Sequence, residues 1–384
     1  MTWLLQLARR IAPTLVALVM ALLITGVFIL IIGENPLAAL GALFDFGDSA
    51  TAQANSIGVW INRATPLFLS GLAVSIGFRM GLFNIGVEGQ YRVATVIAAG
   101  VGAAIVLPAP LHILVIVLVA MAAGAAYAAI PAVLKTTRGV SEVISTIMLN
   151  SIAIGLAAWF VRSPFADPDL GAGETAATRP IDESGHFPGL NDLFGTLGLE
   201  EPRRPVHGFV VVAIVVGIVM AVVLSRSRFG FELRASGLNA LAAAANGISS
   251  KAMVIKAMLL SGALAGLVGL PDLLGSAHRF QTDSFVAGYG FTGIAVALLG
   301  RNRPGGIALA ALLFAFLDRA GPRLQSEGIP PAAVTIMQGI VVLSVLIVDE
   351  VARRRLRRRE ERRARAQDPA TRSEESAAQP EVSS

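Results

Sequence analysis

The chain has 384 residues, 54% of them hydrophobic and only 15% charged, with a formal charge of +5. Soluble domains run at about 45–50% apolar and about 25% charged residues, so this balance excludes an ordinary soluble enzyme and a disordered chain. The lack of cysteine excludes disulfides, Cys-ligated zinc, iron–sulfur clusters and thiol catalysis, and four scattered histidines with no i,i+4 pair argue against a metal site.

In chain order, ten hydrophobic segments stand out: Ile11–Ile32, Ala64–Phe78, Tyr91–Leu107, Leu111–Leu134, Glu142–Val161, Gly208–Leu224, Ala252–Leu274, Gly290–Leu299, Gly305–Ala320 and Pro331–Val348. Several reach the roughly 20 residues that a helix needs to cross a bilayer core. Alternating ten-residue strands are absent, which leaves helices as the spanning structure. The expected fold class is all-α: a polytopic helical membrane protein of about ten transmembrane segments. The second, third, eighth and ninth are short, as broken or re-entrant helices are. The first reads as a retained anchor, because its apolar run exceeds a signal-peptide core and no small-x-small site follows Ile32.

Basic residues mark one side. Arg9 and Arg10, Arg79 and Arg92, Lys135 and Arg138, then Arg226, Arg228, Arg234 and Lys251, then Arg301 and Arg303, all fall on the same face of a ten-span chain. By the positive-inside rule that face is cytoplasmic, and so are both termini. Residues 1–10 form a cytoplasmic N-terminus and 11–349 the transmembrane domain. Within that domain, 162–207 is an acidic extracytoplasmic loop and 225–251 a cytoplasmic loop. Residues 350–384 form a basic tail, RRRLRRREERRAR, suited to anionic lipid rather than nucleic acid, followed from Gln367 by a disorder-type composition. None of the three lysines follows a glycine as a Walker A motif requires, so ATP coupling must come from a partner.

Three polar constellations interrupt the apolar background. In Gly81-Leu82-Phe83-Asn84-Ile85-Gly86-Val87-Glu88-Gly89-Gln90, the polar side chains are costly near hydrocarbon unless paired or facing water, and the glycines permit a break. Two readings stand: Asn84 and Glu88 cap a helix start, or Phe83, Asn84, Glu88 and Gln90 line a substrate pathway, with Arg79 and Arg92 as ion-pair candidates for Glu88. In Ser141–Asn150, Ser141 is an N-cap candidate and Glu142 sits in the first turn. Asn150 lies mid-span, either as an interhelical hydrogen bond or as part of the pathway. In Arg234–Ile248, Asn239 can cap a short Ala-rich helix that Gly247 ends, a surface on which a soluble partner could dock.

GLFNIGVEGQ and SEVISTIMLN resemble the signatures of permease subunits of bacterial ABC importers for nucleosides, within the wider branched-chain amino acid and simple-sugar permease family. RASGLNALAAAANGI is similar to that family's coupling loop. The resemblance covers about residues 60 to 350. It implies a permease rather than an enzyme, with no cofactor of its own, in the plasma membrane. It also implies partners: ABC ATPase subunits, a second permease and an extracytoplasmic substrate-binding lipoprotein. Phe83, Asn84, Glu88, Gln90 and Asn150 are then expected along the substrate pathway. Gly237, Asn239, Ala243, Asn246 and Gly247 are expected to couple to the ATPase. The competing expectation is a proton-coupled transporter with Glu88, Glu142 or Asp272 as relay.

Overall fold

The computed structural model describes residues 2–171, 173–196, 198, 200–282 and 288–367. The helices in chain order are α1 (Thr2–Ile31), α2 (Pro36–Phe44), α3 (Ala50–Arg79), α4 (Val87–Ala104), α5 (Ala109–Arg138), α6 (Glu142–Arg162) and α7 (Asn191–Thr196). They continue with α8 (Phe209–Arg226), α9 (Arg228–Leu238), α10 (Ala240–Ala245), α11 (Ser250–Gly266), α12 (Leu270–Asp272), α13 (Tyr289–Leu299), α14 (Pro304–Ser326) and α15 (Pro331–Gln367). Among the described residues there is no strand, only three isolated bridges. Six helical stretches are long and apolar enough to cross a membrane, and Val16–Ile31 and Tyr289–Leu299 are shorter apolar helices. On α8, Val211, Ile214, Val215, Ile218, Val219 and Val222 are exposed, the outward apolar surface of a helix bathed in lipid. The protein is an all-α polytopic membrane protein.

The helices form two units. One comprises the ends of the chain, up to Pro36 and from Thr335 on; the other is Leu37–Val334. In the first unit, α15 continues past its apolar stretch into the arginine-rich segment. The disorder expected for the tail falls, after Gln367, outside the described residues.

The second unit is built on close backbone approach. A side-chain carbon at Gly124 of α5 would overlap the Gly262 carbonyl of α11, and one at Gly266 would overlap the Ala120 carbonyl. Small residues let two helices meet at backbone distance, which is how membrane helices gain packing energy without a hydrophobic drive between them. On the far side of α11, Ser261 donates to the Ala73 carbonyl of α3 at 2.7 Å.

Two expectations about length are corrected. The second segment is not short: α3 runs 30 residues from Ala50, because its polar N-terminal half packs against the 162–207 segment. There Asn62 donates to the Pro205 carbonyl at 2.9 Å and accepts from the His207 amide at 2.8 Å. The ninth is also a full helix, 23 residues from Pro304 to Ser326. Its polar end is held by Arg319, which donates to the Leu43 and Asp45 carbonyls at 2.5 and 2.8 Å and stacks over Phe46. Helix α2 was not expected at all.

The 162–207 segment folds back over one end of α5 and over the stretch after α12. The Thr178 amide donates to the Phe280 carbonyl, that of Ile181 to His278, and that of Phe187 to Leu274. His112 on α5 bonds Ser184 at 2.7 Å through Nδ1. After α12 the chain makes a π-helical turn over Leu273–Ala277, ended by His278 in the left-handed region at φ 54. Such turns disturb the regular ladder and are frequent at functional sites.

Candidate functional site: a broken helix and its clamp

The break between α3 and α4 follows from local chemistry. Gly81 at φ +69 closes α3, with the Leu82 amide bonded to the Gly77 carbonyl and the Gly81 amide to Phe78. This is a Schellman closure, in which a left-handed glycine lets the last carbonyls be satisfied. Gly86 and Gly89 serve a different purpose from the bending read in the sequence. Gly86 has an ordinary right-handed φ of −70. A side-chain carbon there would sit 3.0 Å from Thr146 Cβ, and one at Gly89 would sit 2.9 Å from Asn150 Oδ1. Both glycines admit α6.

Each predicted residue of the motif has an internal partner. Asn84 and Gln90 exchange amide hydrogen bonds of 3.1 and 3.0 Å, and Asn84 also donates to Ser261 on α11 at 2.9 Å. Asn84 Oδ1 accepts from the Gly86 amide at 3.1 Å, so it holds the turn before α4 rather than the first turn of the helix. Asn150 accepts from the Gly89 amide at 2.9 Å and donates to the Ile85 carbonyl at 3.0 Å, pairing with the broken backbone as another strand would.

Glu88 reaches across to α13. Its carboxylate accepts from the Gly288 and Gly290 amides at 3.0 and 2.9 Å. Tyr91 donates to it at 3.2 Å, and Arg92 pairs with it at 3.0 Å. The N-cap of α13 is Gly288, which has no side chain. Glu88 therefore supplies from another helix the acceptor and the negative charge that a helix N-terminus calls for. Of the two arginines weighed for Glu88, Arg92 is the partner. Arg79 instead donates to the Asn302 carbonyl at 2.5 Å.

Glu142 is likewise engaged. Lys135 donates to it at 2.5 Å and the Phe83 amide at 3.3 Å. Ser141 makes no capping hydrogen bond with its side chain. Asn84, Glu88, Gln90 and Asn150 are thus all buried, and Phe83 alone of the five is exposed. The four form a clamp joining α4, α6, α11 and α13: Asn84 bonds Gln90 and Ser261, Asn150 bonds the backbone at Ile85 and Gly89, and Glu88 bonds the opening amides of α13 with Tyr91 and Arg92. Sequence reasoning missed Ser261 and the Gly288–Gly290 amides; the glycine-rich GYGFTG opening of α13 was the available signal.

The 225–251 loop contains two helices. Asn239 ends α9 and caps α10, accepting from the Leu241 and Ala242 amides at 3.0 Å each. Asn246 donates to the Ala242 carbonyl at 2.8 Å, and Gly247 closes the helix at φ +79. A side-chain carbon at Gly237 would overlap the Arg79 carbonyl, so α9 rests directly on the end of α3 that precedes the break. Leu238 and Leu241 are 89% and 84% exposed, whereas Ala243 is 3% exposed. The outward apolar residues are therefore the two leucines, and Ala243 faces the hairpin interior.

A multi-pass helical bundle with a polar-clamped helix break is an architecture that membrane transport proteins use. Residues 56–346 match the family model described as the branched-chain amino acid transport system permease component, and the chain belongs to that family. It is 33% identical to a nucleoside ABC transporter permease of Lactococcus lactis over 88% of this chain and 91% of the relative. It is 35% identical to a guanosine ABC transporter permease of Bacillus subtilis over 88% and 94%. A glucose ABC transporter permease of Haloferax volcanii is 34% identical over 89% of each chain. No solved structure matches the chain. The proton-relay alternative gains nothing from these comparisons, and Glu88 and Glu142 both stand in ion pairs.

Proposed function

We propose that this chain is a membrane-spanning subunit of an ABC importer that carries nucleosides across the plasma membrane by alternating access. The observation that carries the substrate class is the likeness, over nearly the full length of both chains, to a nucleoside permease and a guanosine permease. In this reading ATPase subunits dock on the α9–α10 hairpin, through the exposed Leu238 and Leu241, with Gly237, Asn239, Asn246 and Gly247 giving the hairpin its shape and Ala243 its interior packing. A second permease completes the pathway, and an extracytoplasmic lipoprotein delivers the substrate. Asn84, Glu88, Gln90 and Asn150 serve transport by holding the break that the pathway needs, and Phe83, packed on Phe78 with one side exposed, is the member presented to substrate or a partner.

Radiolabelled uptake by cells carrying the permease with its partner subunits tests the reading. Uptake of guanosine or uridine that needs ATP and is not competed by glucose is expected. Uptake of glucose competed only by sugars would overturn the substrate class in favour of the glucose permease's. Orientation is tested separately, since the chain has no cysteine. Ser249→Cys on the hairpin side is expected to react with an impermeant thiol reagent only in inverted vesicles, and Ser163→Cys only in intact cells. The opposite pattern would reverse the topology and both termini with it.

A further inference from the structure

At the end of α3 away from the hairpin, Asn62, Arg63, His207, Asp272, Ser276 and Tyr289 surround a polar cavity of about 360 Å³. Arg63 lies 16 residues from Arg79, so roughly 24 Å of helix separates the cavity from the end that bears the hairpin. The volume falls within the range of about 300–1,000 Å³ typical of small-ligand sites.

The polar groups of the cavity are not used up by each other. Asp272 accepts from the Tyr289 hydroxyl at 3.3 Å through Oδ2. Its Oδ1 lies 3.9 Å from His207 Nδ1, too far for a hydrogen bond. His207 is 5% exposed, and its Nδ1 has no hydrogen-bond partner. A buried polar nitrogen left unpaired costs about 1–3 kcal/mol, so a group that bonds it is favoured there. Burial, with His278 nearby, holds the His207 imidazole down to about 4, so it is neutral under ordinary conditions. The positive rim is partly balanced, because Arg279 faces Asp167 at 3.7 Å.

We propose that this cavity binds the permeant itself, as a neutral, hydroxyl-rich molecule of nucleoside size, with one hydroxyl bridging Asp272 Oδ1 and His207 Nδ1. The assignment of ligand class rests on the nucleoside transport proposed above. A hydroxyl is one donor with two acceptor lone pairs, so its oxygen fits between two atoms 3.9 Å apart while donating to the carboxylate and accepting from the imidazole N–H. A carboxylate offers only acceptors, which selects donors such as ribose hydroxyls. Arg63, beside the Tyr289 hydroxyl, lines the same cavity and is the donor for base edges, while Asn62 holds the 205–207 backbone that forms the wall. The site joins the clamp directly: Tyr289 opens α13 between the two glycines whose amides Glu88 holds.

The test uses the complete transporter, permease with its partner subunits, in proteoliposomes with loaded binding protein in excess. Asp272→Asn keeps the shape of the side chain and removes its charge. Ser276→Phe fills the exposed side of the cavity without touching a buried partner. Uptake of uridine or guanosine, normalised to assembled transporter, is expected to fall roughly tenfold or more in Asp272→Asn, the weight of one hydrogen bond to a charged group, and at least as far in Ser276→Phe, where the ring takes the ligand's space. Direct contact of uridine with the detergent-purified complex, read by saturation-transfer NMR, is expected for the wild type and lost in both variants. Wild-type uptake by Ser276→Phe would overturn the cavity as a permeant site, even if Asp272→Asn failed to assemble. A wild-type complex that takes up no nucleoside would instead overturn the proposed substrate class, and the ligand assigned to the cavity with it.

Discussion

Replacing Glu88 removes the group that ties the broken helix to the start of α13. In Glu88→Ala, the Gly288 and Gly290 amides lose acceptors at 3.0 and 2.9 Å, and Arg92 loses its partner. Breaking one side of a buried ion pair costs about 3–5 kcal/mol, because the remaining charge is uncompensated. Each orphaned amide adds to that only as far as water fails to reach it. Glu88→Gln is milder. Its carbonyl oxygen can still accept from one amide, while the charge at the helix N-terminus, worth up to about 2 kcal/mol when partly buried, is gone. The readout is hydrogen exchange at the Gly288 and Gly290 amides of detergent-purified permease. A local loss of about 3 kcal/mol corresponds to roughly a hundredfold faster exchange, with the glutamine variant between wild type and alanine. Uptake per assembled transporter is expected to fall in the same order. Unchanged exchange at those amides in Glu88→Ala would refute the clamp, and faster exchange with wild-type uptake would refute its part in transport.

Three further outcomes are expected. In Gly290→Ala the new carbon would overlap the Glu88 backbone, so the melting temperature is expected to drop, with the same loss of protection as Glu88→Ala and no added deficit when the two changes are combined. Asn239→Ala removes a cap that serves two amides and is expected to destabilise α10 by about 1 kcal/mol, whereas Leu241→Glu is expected to leave folding intact and abolish co-purification of the ATPase. Acid is expected to loosen the 162–207 segment. His207 is held below its ordinary value, to about 4, so it contributes full stability above about pH 6.5, and this is lost as pH falls through 4. By pH 5 the loss is roughly 2 kcal/mol, read as limited proteolysis of the segment, and His207→Gln is expected to flatten that pH dependence.

Length and hydropathy made the membrane class legible, since ten apolar blocks require no tertiary knowledge to recognise. The ends of α3 and α14 were hidden because their polar halves are satisfied by distant segments, Asn62 by residues 205–207 and Arg319 by the carbonyls of Leu43 and Asp45. The polar motifs were visible as costly residues in an apolar chain. What they do was not, because the alternative between lining and capping turns on which atoms lie opposite. Glu88 finds its acceptor role some 200 residues away, at Gly288. Asn239 and Gly247 were readable because a cap and its stop signal act within one turn of the chain. Which side of α10 faces outward was not readable, because the run Ala240–Ala245 carries a single large side chain, Leu241. The exposed side is set by Leu238 and Leu241, one before the cap and one after.

The same geometry explains why polar residues persist in the interior of such a bundle. A membrane helix that stops short leaves amides and carbonyls where no water reaches, and lipid offers them nothing. Here α3 closes on its own glycine, and α13 starts on a glycine that can offer no cap. Glu88 meets the need at the start of α13, and Asn150 meets it along the broken backbone between them. Because α9 rests on the closing turn of α3 and Tyr289 leads from the capped end of α13 into the polar cavity, hairpin, clamp and cavity are joined through successive contacts. A displacement of the hairpin that shifts the end of α3 must either carry the clamp with it or break buried hydrogen bonds. The second leaves buried polar groups unpaired, at about 1–3 kcal/mol each.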